Sequence, residues 1–320
     1  MKKKVLITGG AGFIGSHLSE SLITEDYEVI CVDNFLTGSE KNIESLLLKN
    51  SFKLVRQDIT EPLTDNIGKI DFIFHLASPA SPNHHSRISY HSLPMETMMV
   101  NTVGTKNVLE YAEKTGASFL FASSSEVYGD PLVHPQSEKY RGNTSTTGPR
   151  SIYDESKRFG ETLTAFYHRD RNIDSRIVRI FNTYGPRMQK EDKRMVVNFI
   201  LQALDNKPIT IYGDGLQTRS LCFISDLVDG LKRFMFTEGL GGEVINVGNS
   251  EEHSVTDYAQ LIKKLTSSAS EIIYSEKLPE DDPKKRKPSL EKAYHLLKWQ
   301  PTTTIEQGLI ETINYFKSTL

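Results

Sequence analysis

The sequence predicts an α/β protein, a doubly wound parallel sheet followed by a smaller, mixed α/β C-terminal lobe. Three observations predict it. Short β-branched runs alternate with longer stretches of helical periodicity, as βαβ units require. A glycine-rich turn joins the first strand to the first helix. After Asn182 the alternation breaks, strands shorten, and Pro and Gly become frequent.

The first strand runs from Lys4 to Thr8. The helix from about Phe13 to Ile23 sets Ile14, Leu18, Leu22 and Ile23 on one face. Further strands are expected at Glu28 to Asp33, Phe52 to Arg56, Asp71 to His75, Ser118 to Ala122 and Asp174 to Ile180. Long helices are expected from about Met95 to Lys114 and Tyr153 to His168. In the second half, strands at Ile209 to Tyr212, Val244 to Val247 and Glu271 to Tyr274 lie among separated helices. The chain is therefore read as a first domain, 1–181, and a second lobe, 182–320. A stretch of about 220–248, with Ser225 to Phe236 and Val244 to Val247, is expected to return to the first domain.

Bulk composition excludes several classes. Of the 320 residues, 38% are hydrophobic and 25% charged, which is ordinary for a globular protein. The net charge of −3 and the short, isolated Lys284-Lys285-Arg286-Lys287 run make no footprint for nucleic acid. Cys31 and Cys222 fit neither a disulfide framework nor a zinc site. No stretch approaches the roughly 20 apolar residues of a membrane span, and Val5-Leu6-Ile7 stops at Thr8-Gly9-Gly10 without forming a signal-peptide core. A soluble, cytoplasmic chain with no metal is expected. Ser78 to His91 reads as a long loop whose His84, His85 and His91 lack metal-ligand spacing and are taken as solvated.

The segment Gly9-Gly10-Ala11-Gly12-Phe13-Ile14-Gly15 carries G-x-G-x-x-G spacing after a strand and at the opening of a helix, the context a dinucleotide fingerprint demands. One glycine makes the turn, one admits a pyrophosphate to the backbone, and one lets helix and strand pack closely. This makes the first domain Rossmann-type. Asp33 closes the second strand, where a carboxylate binds ribose hydroxyls and repels a 2′-phosphate, so NAD is expected rather than NADP. Asp58, after the third strand, is placed to meet the adenine. The cofactor set expected is Gly9, Gly12, Phe13, Ile14, Gly15, Asp33, Asn34, Asp58, Ile59, Leu76, Ala77 and Ser78, with Tyr153 and Lys157.

Tyr153-Asp154-Glu155-Ser156-Lys157 sets a phenol and an ammonium four residues apart on one helical face. A phenol of pKa about 10 is a poor base at neutral pH. A nearby ammonium and a positive nicotinamide ring would both favour its ionised form. Ser124, in the Ser123-Ser124-Ser125 run, can share the proton of a reacting alcohol with Tyr153.

These features together resemble the extended short-chain dehydrogenase/reductase family. Within it, the chain is similar to the NAD-dependent epimerases and dehydratases, and most closely to the UDP-glucuronate decarboxylase branch, the UDP-xylose synthases. The strings that carry the resemblance are His75-Leu76-Ala77-Ser78-Pro79-Ala80-Ser81-Pro82, Ser124-Ser125-Glu126-Val127-Tyr128-Gly129-Asp130-Pro131 and His134-Pro135-Gln136. They continue with Arg179 through Arg187, Tyr212-Gly213-Asp214-Gly215-x-Gln217-Thr218-Arg219 and Asp281-Asp282-Pro283-x-x-Arg286-Lys287-Pro288.

The resemblance implies a UDP-sugar substrate, with Asn182 and Arg219 on its diphosphate, Tyr212 near the uracil, and Arg187 and Ser125 in the substrate lobe. Glu126 and Arg286 would distinguish decarboxylation, Arg286 by orienting the sugar carboxylate through its fork of donors. A ketone formed at C4 is β to that carboxylate, so carbon dioxide can leave into an enolate before hydride returns. A homodimer built on the helices around Met95 to Lys114 and Tyr153 to His168 is implied as well. Two departures stand out: Ser124 replaces the family's usual Thr, and the loop from Asn83 to Pro94 is longer and carries Arg87, Tyr90 and His91. An extra arginine there could hold a carboxylate against loss, as a UDP-glucuronate 4-epimerase needs. A related 4-epimerase or 4,6-dehydratase, and more remotely a non-catalytic NAD sensor, are the competing readings.

Overall fold

The structure, a computed structural model, describes residues 2–278 and 283–319, so Asp281 and Asp282 of the last string above lie outside the described residues. Seven parallel strands form the central sheet: β1 (Lys4–Thr8), β2 (Glu28–Asp33), β3 (Phe52–Arg56), β4 (Phe72–His75), β5 (Ser118–Ser124), β6 (Ser175–Ile180) and, from the second half of the chain, Val244–Val247. The order across the sheet is β3-β2-β1-β4-β5-β6 and then Val244–Val247. Direction of travel reverses between β1 and β4, and ligands of such sheets bind outside the carboxyl ends of the strands at that switch point.

Both faces of the sheet are covered, so its strands are apolar throughout rather than alternating. Val5, Leu6 and Ile7 of β1 are all fully buried. Val5 and Ile7 face the core beneath the helix Phe13–Thr24, through Leu18 and Leu22. Leu6 faces the opposite layer with Val108, Leu109 and Ala112.

Several boundaries depart from expectation, among them the helix expected from Tyr153 to His168, which is Ser151–Arg171. β5 runs two residues further than Ala122, because Ser123 and Ser124 continue the ladder against Arg179 and Ile180. The helix expected from Met95 to Lys114 starts at Pro94, ends at Thr115, and is interrupted by a π-type turn over Val100–Gly104. The strand expected at Glu271 to Tyr274 is Ile272–Glu276.

Beyond Asn182 the chain builds short ladders. They are β7 (Thr183–Tyr184) with β10 (Cys222–Phe223), β8 (Ile209–Tyr212) with β13 (Ile272–Glu276), and β9 (Thr218–Arg219) between β12 (His253–Ser254) and β14 (Lys285–Arg286). Val244–Val247, which becomes β11 in this numbering, pairs with β6 over Ile177 to Ile180. The helix Ile224–Phe236 packs its Leu227, Leu231 and Phe234 into the core shared with Leu18 and Leu22. Among the described residues, no helix is long and apolar enough to cross a membrane.

Candidate active site

The turn after β1 can be made only with glycine. Gly9 has φ +71°, and a Cβ there would come within 2.8 Å of the Ala77 backbone. A Cβ on Gly15 would stand 2.2 Å from the Gly9 carbonyl oxygen, so the helix could not begin this close beneath the turn. Gly12 precedes that helix without a side-chain cap, and a Cβ on it would meet only the Gly9 oxygen, at 3.1 Å. Its other side opens into a cleft, where uncapped helix N–H groups are ready for an anion.

This cleft, about 400 Å³, is lined by every cofactor residue expected from Gly9 to Ser78. Asp33 is fixed in it: Oδ2 accepts from the Ala11 N–H at 2.9 Å and Oδ1 from the Phe35 N–H at 2.8 Å. Burial raises its pKa and those two amides work against the rise. Asn34 donates to Asp58 Oδ2 at 2.9 Å, and Asp58 Oδ1 accepts from the Thr60 N–H and hydroxyl, both at 2.8 Å. For Asp58, burial acts upward, but these donors outweigh it and leave the carboxyl below its ordinary value.

At the carboxyl end of β5, Ser124 Oγ accepts from the Glu126 N–H at 3.2 Å and is hydrogen-bonded to the Tyr153 side chain. Lys157, one turn along the helix Ser151–Arg171, donates to the Ala122 carbonyl at 2.8 Å, and its Nζ lies 5.7 Å from the Tyr153 ring centre. The expectation that Lys157 draws the phenol down is corrected. Burial pushes Tyr153 up to about 12, with only the Ser124 hydrogen bond prominent against it. Burial likewise pushes Lys157 down to about 7, with Glu161 opposing. In the protein alone, desolvation is the largest influence on both groups.

Glu126 is the centre of a buried charge cluster. Arg286 donates Nη1 to Oε1 and Nη2 to Oε2, the latter at 3.1 Å, and Arg150 donates Nη2 to Oε2. Burial alone would raise the Glu126 carboxyl, but the Arg150 and Arg286 guanidiniums hold it well below the usual carboxylate range. β14 delivers Arg286 in register with Arg219 of β9. Glu126, Arg150, Asn182, Tyr212, Arg219 and Arg286 line a second cavity of about 460 Å³. Asn83 hydrogen-bonds the Tyr212 side chain at its edge.

Three substrate residues expected from sequence do not join this cavity. Arg87 is exposed and lines neither cleft, because Ser86 turns inward to bond the Glu191 carbonyl at 2.6 Å. Arg187, at φ +66°, pairs with Glu20 on the helix Phe13–Thr24. Ser125 is buried in the short helical turn Ser125–Tyr128 and stays out of the lining.

Of the loop histidines, His84 and His85 are exposed as expected, and His91 is not. His91 is half-buried, its ring stacks on His84 at 4.0 Å, and among the described residues its Nε2 is buried without a partner. Among the described residues, no group of His, Cys, Asp or Glu could hold a metal ion.

Sequence reasoning missed three residues that the fold brings in. Tyr90 stacks on Tyr153, with centroids 5.0 Å apart and planes 15° from parallel. Arg150, three residues before Tyr153, clasps Glu126. Asp154 is buried beside them, and burial, then the Glu126 charge, pushes its pKa up to about 8. The Gly-Pro-Arg that precedes Tyr153 was the one local signal for Arg150.

A glycine cradle that leaves room for a pyrophosphate and a fixed Asp33 fit NAD, while Ser124, Tyr153 and Lys157 lie outside the lining of that cleft, at and beside the carboxyl end of β5. The fold and site therefore define a dinucleotide-dependent enzyme of hydroxyl–carbonyl redox chemistry. The chain belongs to the NAD dependent epimerase/dehydratase family, whose model matches residues 5–248.

It is 47% identical over 319 residues to UDP-glucuronic acid decarboxylase 1 of Xenopus tropicalis, covering 100% of this chain and 73% of that one. It is 48% identical over 307 residues to UDP-glucuronic acid decarboxylase 3 of Arabidopsis thaliana, covering 96% and 86%. Among solved structures, it matches UDP-glucuronic acid 4-epimerase from Bacillus cereus, in complex with UDP-glucuronic acid and NAD, at TM-score 0.87 and 31% identity. That match covers 99% of this chain and 100% of that one. UDP-glucose 4-epimerase from Thermotoga maritima matches at TM-score 0.88 and 28% identity, covering 99% of each.

Proposed function

We propose that this protein converts UDP-glucuronate to UDP-xylose, releasing the C6 carboxylate as carbon dioxide through a transient 4-keto sugar. The observation that carries the reading is the buried Glu126–Arg286 pair, which lines the substrate cavity while Ser124 and Tyr153 stand beside it. The decarboxylases this chain resembles over its full length support the same reaction. In this reading 1–181 is the NAD-binding unit and 182–320 the nucleotide-sugar lobe, with about 220–248 returning to the first.

NAD, held by Gly9, Gly12, Gly15 and Asp33 in the first cleft, would supply the hydride acceptor for C4 of the sugar and the hydride donor again within the same turnover. Tyr153, once ionised, takes the proton of the C4 hydroxyl with Ser124 hydrogen-bonded beside it, and gives it back when the ketone is reduced. With the ketone β to the carboxylate, the electrons of the breaking bond pass into an enolate, which takes a proton from water at C5 to give the 4-keto pentose before hydride returns to C4. Arg286 orients the carboxylate and Glu126 fixes the plane of the Arg286 guanidinium. Asn182 and Arg219 meet the diphosphate, and Tyr212 the uracil. Arg87, which would have favoured a 4-epimerase, is exposed and does not line this cavity.

A panel test distinguishes the reactions. The holoenzyme should release carbon dioxide from UDP-glucuronate and leave UDP-glucose and dTDP-glucose unchanged. Water lost from either neutral sugar would make it a dehydratase.

The same reading includes a homodimer. Phe159 and Phe166 on Ser151–Arg171 are exposed, as a face covered by a second copy would be, while the exposed Met95 and Met99 line the cofactor cleft. Light scattering should give twice the chain mass, and a monomer at micromolar concentration would refute it.

A further inference from the structure

Asp154 follows Tyr153 and stands one turn beyond Arg150, whose carbonyl accepts its backbone N–H at 3.0 Å. Residues at i and i+4 share a helix face, so Arg150 is the ordinary partner for this carboxyl. Arg150 instead reaches to Glu126. Among the described residues, Asp154 Oδ1 is buried without a hydrogen-bond partner, in a residue only 4% exposed. Among the described residues, the charged groups around it include Glu126, Arg150, Arg286 and Glu155. Tyr153 precedes it in the chain, and nearby Tyr90 has a buried hydroxyl that also lacks a partner among the described residues. An unpaired carboxylate in such surroundings is strongly disfavoured, and the group keeps a proton instead.

We infer that Asp154 is a neutral carboxylic acid in the working enzyme, and that its ionisation closes the site to acidic sugars at alkaline pH. The inference rests on UDP-glucuronate being the substrate. Asp154 acts through its neighbours rather than on the reacting atoms, which makes it a positioning residue. Once ionised, it competes with Glu126 for Arg150 and sets a second negative charge close to the sugar carboxylate. A UDP-sugar without that carboxylate, such as UDP-xylose, has nothing for the new charge to repel.

The test uses the NAD-loaded enzyme carrying Tyr153→Phe, so that ligands bind without turnover. Calorimetric titrations run from about pH 6.5 to about pH 9.5, a window spanning the ionisation of a carboxyl raised this far. With Asp154 in place, the Kd of UDP-glucuronate should rise by up to about tenfold per pH unit once Asp154 begins to ionise. The Kd of UDP-xylose should stay level. Asp154→Asn, which keeps the shape and cannot ionise, should flatten the UDP-glucuronate curve. Asp154→Ser is read beside it, so that the result does not hang on one replacement folding. A rise that persists in both replacements overturns the inference. UDP-glucuronate that binds at no pH, with or without Asp154, overturns the substrate assignment as well.

Discussion

Arg286→Lys separates the charge of this side chain from its geometry. The guanidinium meets both oxygens of Glu126 at once, and an ammonium can replace only one of those two hydrogen bonds. A hydrogen bond to a charged group is worth about 1.5–3 kcal/mol. With about 1.4 kcal/mol to each factor of ten, the lysine should lose roughly 10- to 160-fold in kcat/KM. Arg286→Ala removes the charge too, and breaking a buried pair costs about 3–5 kcal/mol, or roughly 160- to 5,000-fold.

The assay is UDP-xylose formation by the NAD-loaded enzyme, with NAD affinity measured separately. Arg286 does not line the cofactor cleft, so NAD affinity should stay within about twofold for both variants. Carbon dioxide release by Arg286→Ala within tenfold of the parent would refute the role of this residue. A collapse of NAD affinity would show that the loss was structural.

Three further predictions concern other parts of the account. Gly15→Ala forces a Cβ to 2.2 Å from the Gly9 carbonyl oxygen, so NAD affinity should fall by at least about tenfold, and an unchanged Kd would contradict the cradle. Arg87→Ala should leave kcat/KM within about twofold, whereas a tenfold fall would return Arg87 to the sugar pocket.

For Asp154, burial raises the folded-state pKa to about 8, above the unfolded value of about 3.9. The folded state therefore binds the proton more tightly, and stability is lost as pH climbs from the lower value to the higher. Asp154→Asn escapes that loss. By thermal melting, its advantage over the parent should grow between about pH 4 and pH 8, and a gap that shrinks would be contrary.

The NAD half of the site was legible because local chemistry dictates it. A strand, a glycine turn and a helix in sequence leave little choice, and all the residues expected from Gly9 to Ser78 line one cleft. Tyr153 and Lys157 were legible for the same reason, since helical spacing alone sets them on one face. What was hidden depends on partners distant in sequence. Arg150 turns to Glu126 rather than to Asp154, and only the return of β14 with Arg286 completes that cluster.

Arg187 looked like a substrate ligand from its Gly-Pro-Arg turn, yet Glu20 on a helix far back in the chain claims it. Arg87 was misplaced because a loop has no periodicity from which to read direction. Its neighbours Ser81 and Ser86, bonding to the Asp192 and Glu191 carbonyls, decide which side faces out. The π-type turn at Val100–Gly104 leaves no mark in hydrophobic spacing, so one uninterrupted helix was the natural expectation.

The most direct test of oxidation at C4, carbon dioxide loss and hydride return is one isotope experiment. UDP-glucuronate carrying deuterium at C4 is incubated in ordinary water with the enzyme and a trace of NAD, and the products are weighed by mass spectrometry. The account predicts UDP-xylose that has lost one carbon dioxide and kept its C4 deuterium over many turnovers per NAD. A UDP-sugar with all its carbon atoms, or UDP-xylose without the label, would contradict it.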